Sequence, residues 1–236
     1  MHHTLGLIRS VTLDLDGTLL DTIPDLAAAA NAMMRELGRA EYPVETVASF
    51  VGKGIPNLVA RCLPDLDETA LKAAQAIFRR HYAVENGRRS KPYPGVFEGL
   101  QLLRAAGIPL AVITNKASDF TGPLLASSGL APLLEFAISG DSLAEKKPSP
   151  LPVRHACARL GVPPAQNLHI GDSGNDYHAA RDAGCPVLLV PYGYNEGQDV
   201  RELDRNAIVG SLAEAAHLVL GHAHYSQHPA PHRAAH

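Results

Sequence analysis

"VTLDLDGTLLDT" (residues 11–22) places three aspartates around a glycine, directly after an apolar run. Strands usually exclude Asp and Gly, so this stretch indicates a strand that ends where carboxylates gather. Carboxylates this close together repel each other unless a cation lies between them or one of them holds a proton. The stretch therefore predicts the first strand of the fold and, at its carboxyl end, a chemical site.

From residue 91 onward, apolar β-branched runs alternate with helical patterns. "IPLAVIT" (108–114) is typical of a strand buried on both faces, and "FEGLQLLRAAG" (97–107) is typical of a helix that ends at a glycine. The same alternation predicts three more strands, at 134–140, 167–172 and 186–190. It also predicts three more helices, at 150–161, 174–184 and 211–221. The fold class is therefore predicted as α/β, a Rossmann-like, doubly wound parallel sheet.

Residues 24–90 contain no comparable β-branched run, and their spacing is helical instead. The helical patterns are "PDLAAAANAMMRELG", "VETVASFVGKG", "IPNLVARCL" and "DETALKAAQAIFRRHYAVENG". We therefore expect a core domain of residues 1–20 and 91–221, interrupted by an all-helical cap domain of residues 21–90. The final segment, 222–236, carries five of the twelve histidines. It is expected to be a disordered tail, although a His-rich tract can also bind metal ions.

The composition is that of an ordinary globular protein, with 46% hydrophobic and 19% charged residues. The net charge of −3 gives no reason to expect a nucleic-acid or membrane partner. The three cysteines form no CxxC pair, so we expect free thiols in a reducing cytoplasm rather than disulfides or a zinc site. Neither a membrane span nor a secretory signal is expected from the apolar pattern.

The unusual polar residues fall at the carboxyl ends of the predicted strands, which is where open α/β sheets bind ligands. They are Asp14 and Asp16 after the first strand, Thr114 and Asn115 after the second, Lys147 beyond the third, and Asp172 and Asp176 at the fourth. A single such aspartate is as well explained as a helix cap or a turn residue. Four segments that are distant in sequence but converge on one edge predict a functional site.

Four short segments, "DLDGTLLDT", "TN", "KKPSP" and "GDSGND", resemble the four motifs of the haloacid dehalogenase-like phosphatases, and they cover residues 11–190 in register. The position of the helical insertion resembles the subclass with a cap between the first and second motifs. "IPDLAAAANAMMRELG", "VGKGIPNLVARCL" and "KPYPGV" further resemble the bacterial phosphoglycolate phosphatases. The resemblance implies Mg²⁺-dependent hydrolysis of a small phosphorylated metabolite, with 2-phosphoglycolate as the expected substrate.

The resemblance implies that Asp14 is the nucleophile and forms an aspartyl-phosphate. Asp16 shares a strand face with Asp14, and it can protonate the leaving alcohol and later deprotonate the attacking water. The expected Mg²⁺ ligands are Asp14, Asp172 and the backbone carbonyl of Asp16. Asp176 is expected behind these ligands, where it would orient water molecules or Lys147.

Lys147 is expected to balance the negative charge of Asp14 and of the phosphoryl group. The family pattern places the functional lysine directly before a proline, which selects Lys147 and makes Lys146 a solvated neighbour. The hydroxyl of Thr114, and the amide or backbone of Asn115, are expected to donate hydrogen bonds to phosphate oxygens.

In the cap, Lys53 stands between two glycines. A lysine in such a loop is either simply exposed or positioned as a cation for the carboxylate of a small phospho-acid. The second interpretation makes Lys53 a residue for substrate selection. The cap is also expected to open and close, with hinges near residues 20–21 and 90–95.

Other functions stay open from the sequence alone. A 2-haloacid dehalogenase is expected to lack Asp16, which counts against that activity. A phosphomutase, or a phosphatase for a sugar phosphate, nucleotide or other small phosphometabolite, would keep all four motifs. The alternative of a different class is a non-catalytic interaction module. Four intact motif residues argue against it, namely Asp14, Asp16, Lys147 and Asp172. A monomer and a dimer are both compatible with the sequence.

Overall fold

The computed structural model describes the backbone of residues 6–226 and the side chains of residues 6–221. Besides short 3₁₀ turns, its helices and strands in chain order are β1 (Ser10–Leu13), β2 (Leu20–Asp21), α1 (Ile23–Glu36), α2 (Val44–Ala48), α3 (Ile55–Cys62), α4 (Glu68–Glu85), β3 (Lys91–Pro92), α5 (Val96–Ala105), β4 (Leu110–Ile113), α6 (Ser118–Ser127), β5 (Phe136–Ile138), α7 (Leu151–Leu160), β6 (Asn167–Gly171), α8 (Gly174–Ala183), β7 (Val187–Leu189) and α9 (Leu212–Ser226).

Five of these strands form one sheet in the order β5-β4-β1-β6-β7. Every neighbouring pair is parallel, and Leu13 of β1 lies opposite Val112 on one side and Ile170 on the other. Apolar side chains from α5 and α9 cover the sheet in one cluster, and those from α7 and α8 cover it in another. The prediction of a doubly wound α/β sheet is confirmed. The first strand is its centre, which places the end of β1 at the point where the connections change direction.

The sequence pattern missed one helix and overextended another. Helix α6 contains Gly122 and Pro123, which argue against a helix in isolation, yet its Phe120, Leu124 and Leu125 are buried and anchor it. The pattern of "VETVASFVGKG" predicts a helix over 44–54, but α2 ends at Ala48. The next residues form a loop in which Gly52 and Gly54 adopt φ angles of 135° and 83°, a conformation that side chains other than Gly rarely tolerate.

Helices α1 to α4 share a hydrophobic cluster of their own, which Phe120 of α6 joins. The two segments that connect these helices to the sheet pair with each other, because β2 and β3 form a two-stranded antiparallel ribbon. The phenol of Tyr194, from the connection after β7, contacts the same junction through Asp21 Oδ1 at 2.9 Å and the N–H of Thr22 at 2.7 Å. The two segments that lead into and out of the helical insertion therefore lie next to each other beside the main sheet.

The last helix, α9, is longer at its carboxyl end than the sequence pattern predicts. The sequence predicts that it ends at residue 221, but α9 continues to Ser226. Gly221 lowers helix stability without ending the helix, and the next proline lies at position 229. The remaining part of the predicted tail, 227–236, lies outside the described residues.

Two expectations from composition can be compared with the described residues. The three cysteines are buried free thiols, with Cys157 Sγ and Cys185 Sγ 3.8 Å apart. Within residues 6–226, none of the helices combines the length and apolar character that crossing a bilayer requires.

Asp25, in the first turn of α1, is a fully buried carboxylate that fixes the end of the cap segment. It accepts hydrogen bonds from the backbone N–H groups of Gly87, Arg89 and Ser90 at 2.9–3.0 Å, and from Ser90 Oγ at 2.6 Å. The loop after α4 is thereby tied to the start of α1. The carboxylate thus supplies hydrogen-bond acceptors to three backbone N–H groups that would otherwise have none.

Asp25→Ala is expected to lower the free energy of unfolding by about 3–5 kcal/mol, because it leaves three backbone N–H groups without acceptors. Equilibrium unfolding in urea measures this change. Asp67→Ala is the matched control, since Asp67 is an exposed N-cap that accepts one bond from Ala70 N at 2.8 Å, and its loss should cost about 1 kcal/mol. Equal effects of the two substitutions would contradict the anchoring role of Asp25.

Candidate active site

The carboxyl ends of β1, β4 and β6 lie side by side, because these strands are neighbours in the sheet. Asp14 follows β1, Thr114 follows β4 and Asp172 follows β6. The carboxylates of Asp14, Asp172 and Asp176 offer oxygens that lie within 4.8 Å of one another. The structure thus brings together residues that are more than 150 positions apart in the chain.

Lys147 is an almost fully buried lysine between these carboxylates. Its Nζ donates to Asp14 Oδ1 at 2.9 Å, to Asp176 Oδ1 at 2.6 Å and to the carbonyl of Ile113 at 2.6 Å. Burial alone would lower the pKa of Lys147, but the charges of Asp14 and Asp176 outweigh it and the pKa is raised. Lys147 therefore carries a positive charge, and its three N–H bonds all have acceptors.

The carboxylate of Asp176 holds Lys147 from behind. Its second oxygen accepts from the hydroxyl of Ser173 at 2.6 Å and from the Ser173 N–H at 3.2 Å, in a capping box at the start of α8. His169 Nε2 lies 3.1 Å from Asp176 Oδ1. Burial works to raise the pKa of Asp176, but Lys147 and His169 lower it overall. Asp176 is therefore ionised, and its hydrogen bonds commit it to these neighbours.

The carboxylates of Asp14 and Asp172 are suited to a divalent metal ion. Burial raises the pKa of Asp172 to about 7, with a further contribution from Asp176. Burial also raises the pKa of Asp14, although Lys147 opposes this effect. Both shifts show that negative charge at this place lacks compensation. Carboxylate oxygens are ligands that hard divalent cations prefer, so the residues present fit such an ion.

The backbone also approaches Asp172 closely. A Cβ atom at Gly17 or Gly193 would overlap the Asp172 carboxylate, so both positions require glycine. Asp172 is oriented by Thr18 Oγ1 at 3.0 Å and by the N–H of Tyr194 at 2.7 Å. These contacts fix the orientation of the Asp172 carboxylate before any ligand binds.

Asp16 contacts a second buried lysine, Lys116, which the sequence analysis missed. Lys116 Nζ lies 2.9 Å from Asp16 Oδ1 and 2.6 Å from the phenol oxygen of Tyr82 in α4. Burial alone would lower the pKa of Lys116, but Asp16 and Tyr82 reverse this and raise it. Lys116 directly follows Asn115 at the end of a strand, but a lysine at such a position is ordinarily exposed, and nothing in the sequence indicates its burial. Each of the first two aspartates thus has its own lysine.

Thr114 and Asn115 lie beside this pair. The hydroxyl oxygen of Thr114 accepts from the N–H of Lys116 at 3.2 Å, which leaves the hydroxyl hydrogen to donate elsewhere. The side-chain amide of Asn115 instead donates to the carbonyls of Gly52 at 3.0 Å and Lys147 at 2.9 Å. Of the two groups predicted for Asn115, the amide is thus committed, and the backbone N–H is the one that can face a phosphate oxygen.

A cavity lies between the sheet edge and the helical insertion. Its polar lining comes from Asp14, Asp16, Tyr82, Thr114, Asn115 and Lys116. Its remaining lining comes from the insertion, with apolar side chains and two glycines, namely Leu26, Val51, Gly52, Gly54, Ile55 and Leu58. The predicted nucleophile and the predicted acid–base residue therefore both border a space that is open to a small molecule.

Lys53 has a different environment. Its Nζ lies 2.9 Å from Glu196 Oε1, and Arg61 forms an ion pair with the same carboxylate. Lys53 and Glu196 line a separate cavity, together with Pro148, Asn175 and His178. The structure thus does not bring Lys53 to the cavity that Asp14 borders. Instead, the ion pairs join the helical insertion to the connection after β7.

Three comparisons bear on this site. A model of the haloacid dehalogenase-like hydrolases matches residues 11–190. Phosphoglycolate phosphatases from Nitrosospira multiformis and Thiobacillus denitrificans are each 52% identical to this chain, covering 93% and 90% of it and 98% and 96% of their own length. The crystal structure of a predicted phosphoglycolate phosphatase from Haemophilus somnus 129pt has a TM-score of 0.85 at 32% identity, with 89% of this chain and 97% of that chain covered.

Proposed function

The chain belongs to the haloacid dehalogenase-like hydrolase family, and from that premise we propose that it hydrolyses 2-phosphoglycolate to glycolate and phosphate. The observation that carries the proposal is the pair of buried Asp–Lys contacts at the end of β1, Asp14 with Lys147 and Asp16 with Lys116. They set two carboxylates with different partners beside one cavity, as a nucleophile and an acid–base group require. The names of the relatives that are 52% identical support the choice of substrate.

In the first step, an oxygen of Asp14 attacks phosphorus, and the bond from phosphorus to the glycolate oxygen breaks. Asp16 gives its proton to the departing oxygen. Lys147 offsets the charge of Asp14 as the phosphoryl group approaches, and the Thr114 hydroxyl and Asn115 N–H donate to phosphoryl oxygens. The products of this step are glycolate and an aspartyl-phosphate at Asp14.

In the second step, a water molecule attacks the phosphorus of the aspartyl-phosphate. Asp16 takes the proton of that water, and the bond between phosphorus and Asp14 breaks. Phosphate leaves, and the proton that Asp16 gave to glycolate is replaced by the proton taken from the water molecule.

We propose Mg²⁺ as the cofactor, held by Asp14, Asp172 and the backbone carbonyl of Asp16. A bound Mg²⁺ would supply positive charge between the carboxylates and the phosphoryl oxygens. Asp176 would act by positioning Lys147, which it contacts at 2.6 Å. We further propose that the enzyme works in the cytoplasm without a nucleic-acid partner, as the free thiols and the small negative net charge suggest.

A screen of phosphate release over a panel of phosphometabolites tests the proposal. The expected result is the highest kcat/KM for 2-phosphoglycolate, above sugar phosphates, nucleotides and an aryl phosphate. A higher value for a sugar phosphate would favour the alternative phosphatase, and phosphoryl transfer between positions of a sugar would favour the phosphomutase. No turnover of any of these compounds with any divalent metal would favour the non-catalytic module.

We propose that Lys53 assists substrate binding through its contact with Glu196, which joins the helical insertion to the core. Direct selection of the substrate by Lys53, as the sequence predicts, would require this ion pair to open. Because the pair is partly exposed, Lys53→Ala is expected to raise KM by about two- to fivefold. The rise should be the same for 2-phosphoglycolate and for ethyl phosphate, which lacks the carboxylate. A rise confined to 2-phosphoglycolate would instead support direct selection.

A further inference from the structure

A substrate with two anionic groups needs two sources of positive charge in the cavity. Lys147 and the proposed metal ion serve the phosphoryl group, so the carboxylate of 2-phosphoglycolate requires another partner. We propose that Lys116 and the hydroxyl of Tyr82 bind this carboxylate and thereby select the substrate, an inference that rests on the proposed function. The geometry of the described cations supports this assignment.

Three of the other cations near the site are committed to carboxylates, and Lys146, whose Nζ donates to the carbonyl of Lys53 at 2.8 Å, is not among the residues that line the cavity. Lys147 has acceptors for all three of its N–H bonds, at Asp14, Asp176 and Ile113. Lys53 and Arg61 both contact Glu196. Lys116, in contrast, borders the cavity, and its Nζ contacts Asp16 Oδ1 at 2.9 Å, Asp16 Oδ2 at 3.3 Å and the phenol oxygen of Tyr82 at 2.6 Å. Both oxygens of Asp16 belong to one carboxylate and can share a single N–H, which leaves one of the three N–H bonds for a substrate.

Tyr82 offers a second donor at the same place. Its oxygen accepts the hydrogen bond from Lys116 at 2.6 Å, so the phenol hydrogen is free to point to another acceptor. Burial raises the pKa of Tyr82 to about 12, and the phenol therefore keeps its proton at neutral pH. Lys116 follows β4 and Tyr82 lies in α4, so the two donors come from the two sides of the cavity. A carboxylate has two oxygens with which to accept from both donors.

The distances agree with the length of the substrate. The leaving oxygen must lie within about 3 Å of Asp16 to receive its proton. The carboxylate carbon of glycolate lies two bonds, roughly 2.5 Å, from that oxygen. Lys116 Nζ is 2.9 Å from Asp16 Oδ1, which places it within reach of the carboxylate. When Asp16 acts as the acid it carries a proton and no charge, so it does not repel the carboxylate.

The lining contributed by the helical insertion carries no charge. Leu26, Val51 and Leu58 offer apolar contact that suits the single methylene group of the substrate. A neutral substrate would leave the spare N–H of Lys116 and the O–H of Tyr82 without acceptors after water is excluded. That cost would act against substrates without a carboxylate.

The test compares kcat/KM for 2-phosphoglycolate with kcat/KM for ethyl phosphate, and the ratio of the two defines the preference for a carboxylate. Lys116→Met is expected to lower this ratio by roughly 10- to 100-fold, since it removes a charged hydrogen bond. The ratio is needed because Lys116→Met also removes the partner of Asp16 and lowers both activities. Tyr82→Phe, which keeps the ring and the Lys116–Asp16 contact, should lower the ratio by about 3- to 10-fold.

Lys72→Met is the matched control, because Lys72 is exposed on α4 and pairs only with Glu68 among the described residues. Its ratio should equal that of the wild type. An unchanged ratio in folded Lys116→Met would overturn the inference while leaving the proposed function intact. If Lys116→Met does not fold, an unchanged ratio in Tyr82→Phe overturns it equally. A wild type without any preference for 2-phosphoglycolate would instead refute the proposed function itself.

Discussion

Asp14→Asn should reduce kcat for 2-phosphoglycolate by roughly 10⁴-fold or more, because an amide is almost the same size as a carboxylate but is a poor nucleophile. Phosphate release measures the loss. Rapid acid quenching of the wild type with labelled substrate should also trap phosphate on the protein, and the variant should trap none. The trapped phosphate separates loss of the nucleophile from a loss of metal binding.

The stability of this variant provides the control for folding. The pKa of Asp14 is raised in the folded protein, chiefly by burial, so its ionised form opposes folding at neutral pH when no metal is bound. A neutral amide removes that cost, and metal-free Asp14→Asn should melt no lower than metal-free wild type. Asp182→Asn, at an exposed carboxylate of α8, should keep full activity. Residual turnover of Asp14→Asn above a few per cent would rule out Asp14 as the nucleophile.

Removal of divalent metal with EDTA is expected to abolish turnover, and added Mg²⁺ should restore it. The physical reason is the gathering of three carboxylates within 4.8 Å, next to which a phosphoryl group would meet strong repulsion. Activity assays before and after dialysis against the chelator measure the effect. Full activity in excess chelator would contradict the proposed metal site.

A second readout of metal binding does not depend on turnover. Because a ligand that binds only the folded state stabilises it, Mg²⁺ should raise the melting temperature of the wild type. Asp172→Asn removes one proposed ligand without touching Lys147, and Mg²⁺ should raise its melting temperature much less. An equal rise in both proteins would place the ion elsewhere.

Much of the fold could be predicted from local patterns. The β-branched runs that became β1, β4, β6 and β7 are buried on both faces, and burial of this kind leaves a plain signal in composition. Helix α6 left no such signal, since Gly122 and Pro123 lower its local propensity and tertiary contacts, among them the packing of Phe120 and Leu124, stabilise it. Local propensity is a weak guide wherever tertiary contacts supply most of the stability.

The residues of the candidate site likewise fall into some that the sequence indicates and others that only the structure reveals. Asp14, Asp16 and Asp172 could be found because carboxylates after apolar strands are unusual and fall into recognisable motifs. Lys116 carried no such signal, since a lysine after a strand is ordinarily exposed and only the structure shows that it is buried. Lys53 was singled out by its glycine neighbours, but its position relative to the cavity depends on Glu196, which lies 143 residues away.

The sequence by itself determined the α/β class, the helical insertion after the first strand and the carboxylates at the strand ends. These features follow from the period of the side chains and from the rarity of Asp within strands, which are properties of short segments. Only the tertiary structure decided the partners that no motif indicated: Lys116 for Asp16, Tyr82 for Lys116, and Glu196 for Lys53. Those partners are distant along the chain, and the strand order that brings them together is set by packing, which no local pattern encodes.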